Sequence, residues 1–397
     1  MRVIICGAGV AGLSLGRWLA HNGWEVLIVE RAEGPRNEGY MIDFFGAGYD
    51  AAELMGLIPR LEEVHYVPGR LVYVDKSGRP SSSVEYEVFS RLEKGRLMSF
   101  LRGDLERVLL EALPKAVEVR FNVTLHEIIE DGSGVRVTLS NGAHENADLL
   151  VGADGVHSRV RELVFGGERQ FLRYLGYHTA GYVFQDQRVS RELDRDFVNL
   201  TVPGRNVGIY PLRENRIASF FVHRASSPAL PESPCAELRR MYGDLGWLVP
   251  STLAQCTESS GVYYDQVVQV EMERWSHGRT TMIGDACCAV SLLAGQGASI
   301  AMASAYTLAD ELQHARAVEE ALFRYEARLK PVVARTQRFG RRTARWVVPP
   351  DRWSIFLRNR VLNLARMPAP CWLLRPVLAS GSEAIVHRQL DDDIKVY

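Results

Sequence analysis

The sequence predicts an α/β fold: a doubly wound parallel sheet, interleaved along the chain with a second, β-sheet domain and followed by C-terminal helices. Three observations carry this. The chain opens on strand, Gly7-x-Gly9-x-x-Gly12, helix and strand. Two later apolar strands run into glycine-aspartate turns, Gly152-Ala153-Asp154 and Gly284-Asp285. Between these signals, residues 69–88 and 181–221 are rich in Val, Tyr, Phe and turn residues, a composition that favours an antiparallel sheet.

Residues 3–6 are short, apolar and followed by glycine, which suits a buried parallel strand, and 13–20 continue as a helix. Gly7 permits a tight turn, Gly9 lets the backbone approach a pyrophosphate, and Gly12 lets the helix pack on the strand with its amides facing the anion. The second strand, 25–29, ends at Glu30, where a carboxylate can accept hydrogen bonds from an adenosine ribose. The opening is a Rossmann-type dinucleotide site. Further strands are expected at 71–74, 117–122, 134–140, 149–151, 207–210 and 218–223, and a helix over 101–113. The downstream aspartates, Asp154 and Asp285, fall at the carboxyl ends of strands, where doubly wound sheets bind ligands; each also suits a turn or a helix cap. Beyond Gly295-Gln296-Gly297 the pattern is helical over 297–312 and 317–338, then broken by Pro349-Pro350 before an amphipathic stretch at 355–366.

A chain of 397 residues with ordinary apolar content can bury the core of two or three domains. Its formal charge of −1 gives no reason to expect nucleic acid, whose binders usually carry a clear basic excess. The six cysteines (Cys6, Cys235, Cys256, Cys287, Cys288, Cys371) show no C-x-x-C pair and no zinc spacing, so they read as reduced thiols of a cytoplasmic protein, and no metal is expected. Residues 3–20 do not read as a leader peptide, because glycines divide them into strand, turn and helix. No apolar run reaches the roughly 18 residues of a membrane span. Arginines 341, 342, 345, 358, 360 and 366 among apolar residues suggest amphipathic C-terminal helices, expected to cover the first domain rather than to lie on lipid.

Taken in order, the opening fingerprint, Ser99-Phe100-Leu101-Arg102-Gly103-Asp104-Leu105, Gly152-Ala153-Asp154-Gly155, Gly284-Asp285 and Gly295-Gln296-Gly297 resemble the group A flavoprotein monooxygenases. These are the class of para-hydroxybenzoate hydroxylase and the tetracycline-inactivating monooxygenases, and the resemblance covers residues 1 to about 335. It implies FAD held by Gly7, Gly9 and Gly12, with Glu30 on the ribose and Gly284 and Asp285 near the pyrophosphate. Arg102 matches a helix-head arginine that contacts the cofactor, and Asp154 a motif used for both FAD and the nicotinamide coenzyme. Arg36 and Asp43 match by spacing an arginine assigned to NADPH and an aspartate assigned to FAD; Arg36 also suits an ordinary surface loop. Arg31 is either an adenine-edge contact or a solvated charge. Gly295, Gln296 and Gly297 would bring amides and a helix N-terminus to the flavin edge, where reduction places negative charge. The family commonly has histidine and proline where this chain has Cys288 and Ser291 or Leu292, which alters the pocket beside the flavin.

The implied domains are FAD-binding over 1–70, 98–170 and 275–335, substrate-binding over 71–97 and 171–274, and helical over 336–397. The implied reaction is reduction of FAD by NADPH or NADH, which binds transiently because only one dinucleotide fingerprint is present. Oxygen then gives a C4a-hydroperoxyflavin, which hydroxylates an aromatic, polyketide or antibiotic-like molecule. No protein side chain is assigned to catalysis; Tyr182, Gln185, Tyr210 and Phe221 are candidates to line the pocket, with core packing as their rival role. A flavin epoxidase or halogenase served by a separate reductase, or an isoprenoid-type flavin reductase, are the alternatives. The halogenase form lacks its Trp-x-Trp-x-Ile-Pro motif. The chain is expected to act as a monomer or homodimer on a small apolar substrate.

Overall fold

The computed structural model describes residues 1–35, 41–132, 134–257 and 261–364. Its first domain is built on a six-stranded sheet in the order β17 (Ser276–His277), β18 (Thr280–Met282), β11 (Leu149–Gly152), β1 (Arg2–Cys6), β2 (Glu25–Val29), β7 (Glu118–Arg120). All neighbours are parallel except β17 and β18. Val3, Ile4 and Ile5 are wholly buried, so β1 has apolar residues in succession rather than in alternation. Helix α1 (Val10–His21) follows β1 and packs against α11 (Gly297–His314), whose Ala301, Ala303, Ser304 and Ala305 are all buried. Helices α2 (Ala47–Leu54), α3 (Ile58–Val64), α5 (Arg102–Glu111) and α6 (Arg159–Phe165) complete the domain. The strand expected at 134–140 is β9 (Val135–Leu139), paired with β8 (Leu125–Glu130) and β10 (His144–Ala147) in a separate antiparallel sheet on the same core.

The second domain carries seven strands in the order β16 (Tyr263–Val270), β12 (Leu172–Gln185), β15 (Arg216–Arg224), β14 (Arg205–Pro211), β13 (Phe197–Val202), β4 (Arg70–Val74), β5 (Pro80–Glu85). The expected antiparallel sheet is mixed, because β13 and β4 run parallel. The chain leaves after β5, traverses the first domain and returns at β12, and such a long crossover allows a parallel pair where a hairpin does not. The outer face of this sheet buries Tyr182, Leu200, Ile209 and Phe221 with α7 (Gln187–Leu193), α8 (Pro234–Tyr242) and α9 (Val249–Ala254). The inner face turns toward the first domain. There Tyr177, Val222 and Val267 meet Leu293 and Ala344, while Tyr210 and Ala218 meet β3 (Met41–Phe45) and β6 (Leu97–Leu101).

Helix α12 (Val318–Val347) runs without a break past residues 335 and 336 and stops just before Pro349-Pro350. Helix α13 (Arg352–Leu364) then lies against β5, where Leu362 packs with Tyr73, Val84 and the Val88 and Phe89 side chains of α4 (Tyr86–Leu92). Arg366, expected in this stretch, and Cys371 lie outside the described residues. One cysteine expectation is corrected: Cys235 and Cys256 form a disulfide, with Cα atoms 5.7 Å apart. Cys235 lies in α8 and Cys256 just beyond α9, and both helices pack on one sheet face, a proximity that sequence spacing does not reveal. Cys6, Cys287 and Cys288 are free and buried. Among the described residues no helix is long and apolar enough to cross a membrane.

Candidate active site

The glycine turn after β1 is forced by contact. Gly7 has φ +112°, and a Cβ there would lie 2.4 Å from Ala153 O; a Cβ on Gly12 would lie 1.9 Å from Gly7 O. Only hydrogen fits at either place. Gly9 differs, since the nearest atom to its Cβ would be Glu106 Oε1 at 3.8 Å; its missing side chain leaves the adjoining cleft open. Helix α1 starts there with no side-chain cap and no acidic residue in its first turn, so its leading N–H groups are left for an anion.

The cleft holds about 360 Å³ and brings together Gly7, Gly9, Glu30, Arg31, Arg102 and Asp154. Glu30 accepts hydrogen bonds from Ala8 N (2.8 Å) and Ala32 N (2.9 Å), which fixes its carboxylate at the mouth of the glycine turn. Arg31 lines the cleft with an exposed side chain. Asp154 is committed to α6: it accepts from Ser158 Oγ (2.5 Å), Arg159 N (2.7 Å) and Val160 N (3.1 Å). Burial raises its pKa while these bonds oppose the rise. Its place in the cleft is thus that of a helix cap whose turn shapes the wall. His157, not singled out from sequence, lies in the same wall; its hydrogen bonds to the carboxylates of Asp265 and Glu168 outweigh desolvation and raise it to about 9. Its signal was its position in the Gly-Ala-Asp-Gly-Val-His segment.

The third turn stacks on the first. Gly284, at φ +58°, would carry a Cβ 2.8 Å from the Ala11 Cβ of α1, and its N–H donates to Ser304 Oγ of α11 (3.0 Å). This packing sets Asp285, which opens α10 (Asp285–Cys288), beside the start of α1. Burial pushes the Asp285 carboxyl up, and the nearby Arg102 guanidinium pulls it down. Arg102 also donates to Glu106 Oε1 (3.1 Å). The Cys288 thiol is buried and donates to Gly284 O (2.9 Å); the neighbouring Cys287 and desolvation push its pKa up. Ser291 accepts from Leu293 N (3.2 Å) and closes the short turn ahead of Gly295, which has φ +67°.

Gln296 is the N-terminal residue flanking α11; it is 1% exposed, and among the described residues neither its Oε1 nor its Nε2 has a hydrogen-bond partner. Helix α11 likewise has no side-chain cap and no acidic first turn. A buried carboxamide without partners beside an uncapped helix end is stable only if a polar group completes it. These features fit FAD, with the glycine turn and α1 at one end and the Gln296 turn at the other.

Asp43 lies in β3, outside the cleft, where it accepts from Ser99 Oγ (2.6 Å) and Tyr86 OH (3.0 Å); burial raises its pKa and both bonds restrain the rise. Two residues on, Phe45 N donates to Ser299 Oγ in the first turn of α11, so β3 passes beside the Gln296 end. Tyr86 was not anticipated from sequence. Of the pocket candidates, Tyr210 is on the inner face and its OH accepts from Met41 N (2.7 Å), while Gln185 is exposed at the end of β12. Tyr182 and Phe221 are corrected: they stack on the outer face with ring centres 5.9 Å apart, and Tyr182 OH donates to Thr252 O (2.7 Å). Arg36 lies outside the described residues. Among the described residues no group of His, Cys, Asp and Glu is arranged to hold a metal.

The FAD binding domain family model matches residues 1–340. An uncharacterized Mycobacterium tuberculosis protein (strain H37Rv) is 35% identical over 328 residues, covering 79% of this chain and 85% of that protein. A flavin-dependent monooxygenase of Legionella longbeachae is 29% identical over 348 residues, covering 86% and 88%. Among solved structures, the tetracycline destructase Tet(55) superposes with a TM-score of 0.81 at 26% identity, over 95% of this chain and 97% of that one. Klebsiella pneumoniae HpxO, complexed with FAD and uric acid, shares the fold with a TM-score of 0.80 at 21% identity, over 96% of each chain. With the FAD cradle and the family match in agreement, the chain belongs to the FAD binding domain family, as an oxidoreductase of the FAD-dependent monooxygenase class.

Proposed function

We propose that this chain uses NADPH or NADH and O2 to hydroxylate an aromatic, polyketide or antibiotic-like small molecule seated between the inner sheet face and the Gly295–Gly297 turn. The observation that carries the reading is the Gln296 turn, where a partnerless buried carboxamide and an uncapped α11 N-terminus lie on the side of the first domain that meets the second. Bound FAD supplies the redox and oxygen chemistry. Gly7, Gly9, Gly12 and Glu30 would hold its adenosine and pyrophosphate, with Arg102 and Asp285 at the middle. The α11 amides and Gln296 would stabilise negative charge on the reduced ring. Leu293, packed with Tyr177 and Val222, would exclude water from the side of the Gly295–Gly297 turn. A single dinucleotide fingerprint supports a coenzyme that visits rather than resides.

The likeness to a tetracycline destructase and to an enzyme crystallised with uric acid supports a ring-bearing substrate. The test is aerobic turnover with NADPH under ¹⁸O2 against a panel of phenolic and polycyclic compounds. The expected result is coenzyme oxidation that rises with one compound and a product gaining one labelled oxygen atom. A product saturated without oxygen would favour the isoprenoid-type reductase instead.

A further inference from the structure

On the inner face of the second sheet, one cross-strand row runs in register through Ser82, Tyr73, Asn199, Gly208, Phe220 and Gly181, from β5 to β12. Helix α13 covers the β5 end of this row, and its two buried residues, Arg358 and Leu362, stand one turn apart facing it. The Arg358 guanidinium lies 3.9 Å from the Tyr73 ring centre. Arg358 is 2% exposed, yet among the described residues no carboxylate comes within 4.0 Å of it. Its polar contacts are neutral and long: Trp346 O and Oδ1 of the adjacent Asn359, each at 3.3 Å. A buried cation so placed is destabilising unless another group completes it.

Two further donors lie one strand to either side of Tyr73. Ser82 is 4% and Asn199 5% exposed, and among the described residues Ser82 Oγ and Asn199 Nδ2 have no hydrogen-bond partner. The orientation of Asn199 is set from behind. Thr201 Oγ1 donates to Asn206 Oδ1 (2.6 Å), and Asn206 Nδ2 donates to Asn199 Oδ1 (3.0 Å), which leaves an N–H as the free end of the chain. Gly208 makes room for this, since a Cβ there would lie 3.1 Å from Asn199 Oδ1 and 2.6 Å from the Phe197 ring. Arg358 over the Tyr73 ring, with Ser82 and Asn199 on the two flanking strands, therefore places a guanidinium, a hydroxyl and an amide N–H in one stretch of the inner face.

We propose that Arg358, Asn199 and Ser82, around Tyr73, form a substrate subsite for an ionised oxygen, a phenolate or enolate, at the end of the molecule remote from the flavin. The claim rests on the reading above that substrate lies under this sheet face. Phe220 shares a cluster with Leu293 of the turn before Gly295, and Tyr73 is three strands away, about 14 Å at the usual strand spacing. A molecule anchored at Tyr73 must therefore be extended to reach the flavin edge.

The test is calorimetric titration of the oxidised, FAD-loaded protein, without coenzyme, using 2-hydroxyanthraquinone and its 2-methoxy analogue at a pH where the phenol is ionised. The hydroxy compound should bind roughly tenfold or more tightly than the ether, the scale of one hydrogen bond to a charged group. Arg358→Met should remove that preference by weakening the hydroxy compound alone, Asn199→Leu should reduce it, and Arg358→Lys should keep part of it. Melting temperature and flavin content accompany each variant, and Asn199→Leu, which leaves α13 intact, serves if Arg358→Met does not fold. Equal affinity for the two probes, no binding of either, a preference that survives Arg358→Met, or an equal loss for both compounds would overturn the assignment. Flavin reduction is not involved, so failure of the nicotinamide reading and failure of this subsite are read separately.

Discussion

Replacing Gly12 and Gly9 by alanine, one at a time, separates packing from ligand approach within a single turn. At Gly12 the new Cβ would sit 1.9 Å from Gly7 O, whereas real Cβ contacts keep beyond 3.0 Å. The atom it meets is backbone, and Gly7 is itself held by its N–H bond to Val29 O (2.7 Å) and by its approach to Ala153. Helix α1 must therefore move by roughly 1 Å, which carries an overpacking cost of about 1–3 kcal/mol. Ala11 moves with it and disturbs Gly284 and Asp285, so FAD affinity falls as well. At Gly9 the nearest atom to the new Cβ would be Glu106 Oε1 at 3.8 Å, so apo stability should stay within about 0.5 kcal/mol. The methyl group enters the cleft, however, and loss of even one close pyrophosphate hydrogen bond weakens FAD by roughly tenfold or more. The assay is thermal melting of the flavin-free proteins, paired with titration by FAD followed through flavin fluorescence. A Gly12→Ala protein with unchanged melting, or a Gly9→Ala protein that melts early while binding FAD normally, would refute the reasoning.

Asp285→Ala should strip FAD during purification, measured as the ratio of flavin to protein absorbance; full yellow colour would remove Asp285 from the site. His157 has a folded pKa raised to about 9, chiefly by Asp265 and then Glu168, above its unfolded value of about 6.5. Its stabilisation is therefore complete below about pH 6.5 and lost as pH rises through about 9. The side chain is 40% exposed, so screening limits the effect to about 1 kcal/mol or less, and His157→Gln should flatten melting temperature across that window. Tyr182→Phe should cost about 1 kcal/mol of stability through its lost bond to Thr252 O and leave ligand binding alone. Tyr210→Phe, which leaves Met41 N without its acceptor on the inner face, should change ligand affinity measured by calorimetry.

The parts of this site legible in the sequence are those fixed by backbone sterics. Gly7, Gly12 and Gly284 occupy contacts or dihedrals that exclude a side chain, and that constraint is written locally. Glu30 could be placed because it ends a strand of fixed length. Faces were harder: Tyr182 and Tyr210 are both aromatic strand residues, and only the register among β12, β15 and β14 assigns them to opposite sides. The parallel pairing of β13 with β4 and the Cys235–Cys256 bond depend on segments that meet only after both domains have formed. Asp154 offered two roles in sequence; its carboxylate caps the start of α6 while the residue lines the cleft. Arg358 had no local signal at all, since one arginine among several in an amphipathic stretch reads as solvated until α13 is seen lying on Tyr73.

Anaerobic mixing of the FAD-loaded protein with NADPH or NADH, followed at the flavin absorbance band with and without phenolic and polycyclic ligands, decides whether this chain reduces its own flavin. A self-sufficient hydroxylase predicts bleaching by at least one coenzyme, accelerated by a ligand that fits beneath the sheet. An unbleached flavin with both coenzymes, across the whole panel, would contradict the account and point to an enzyme supplied by a separate reductase.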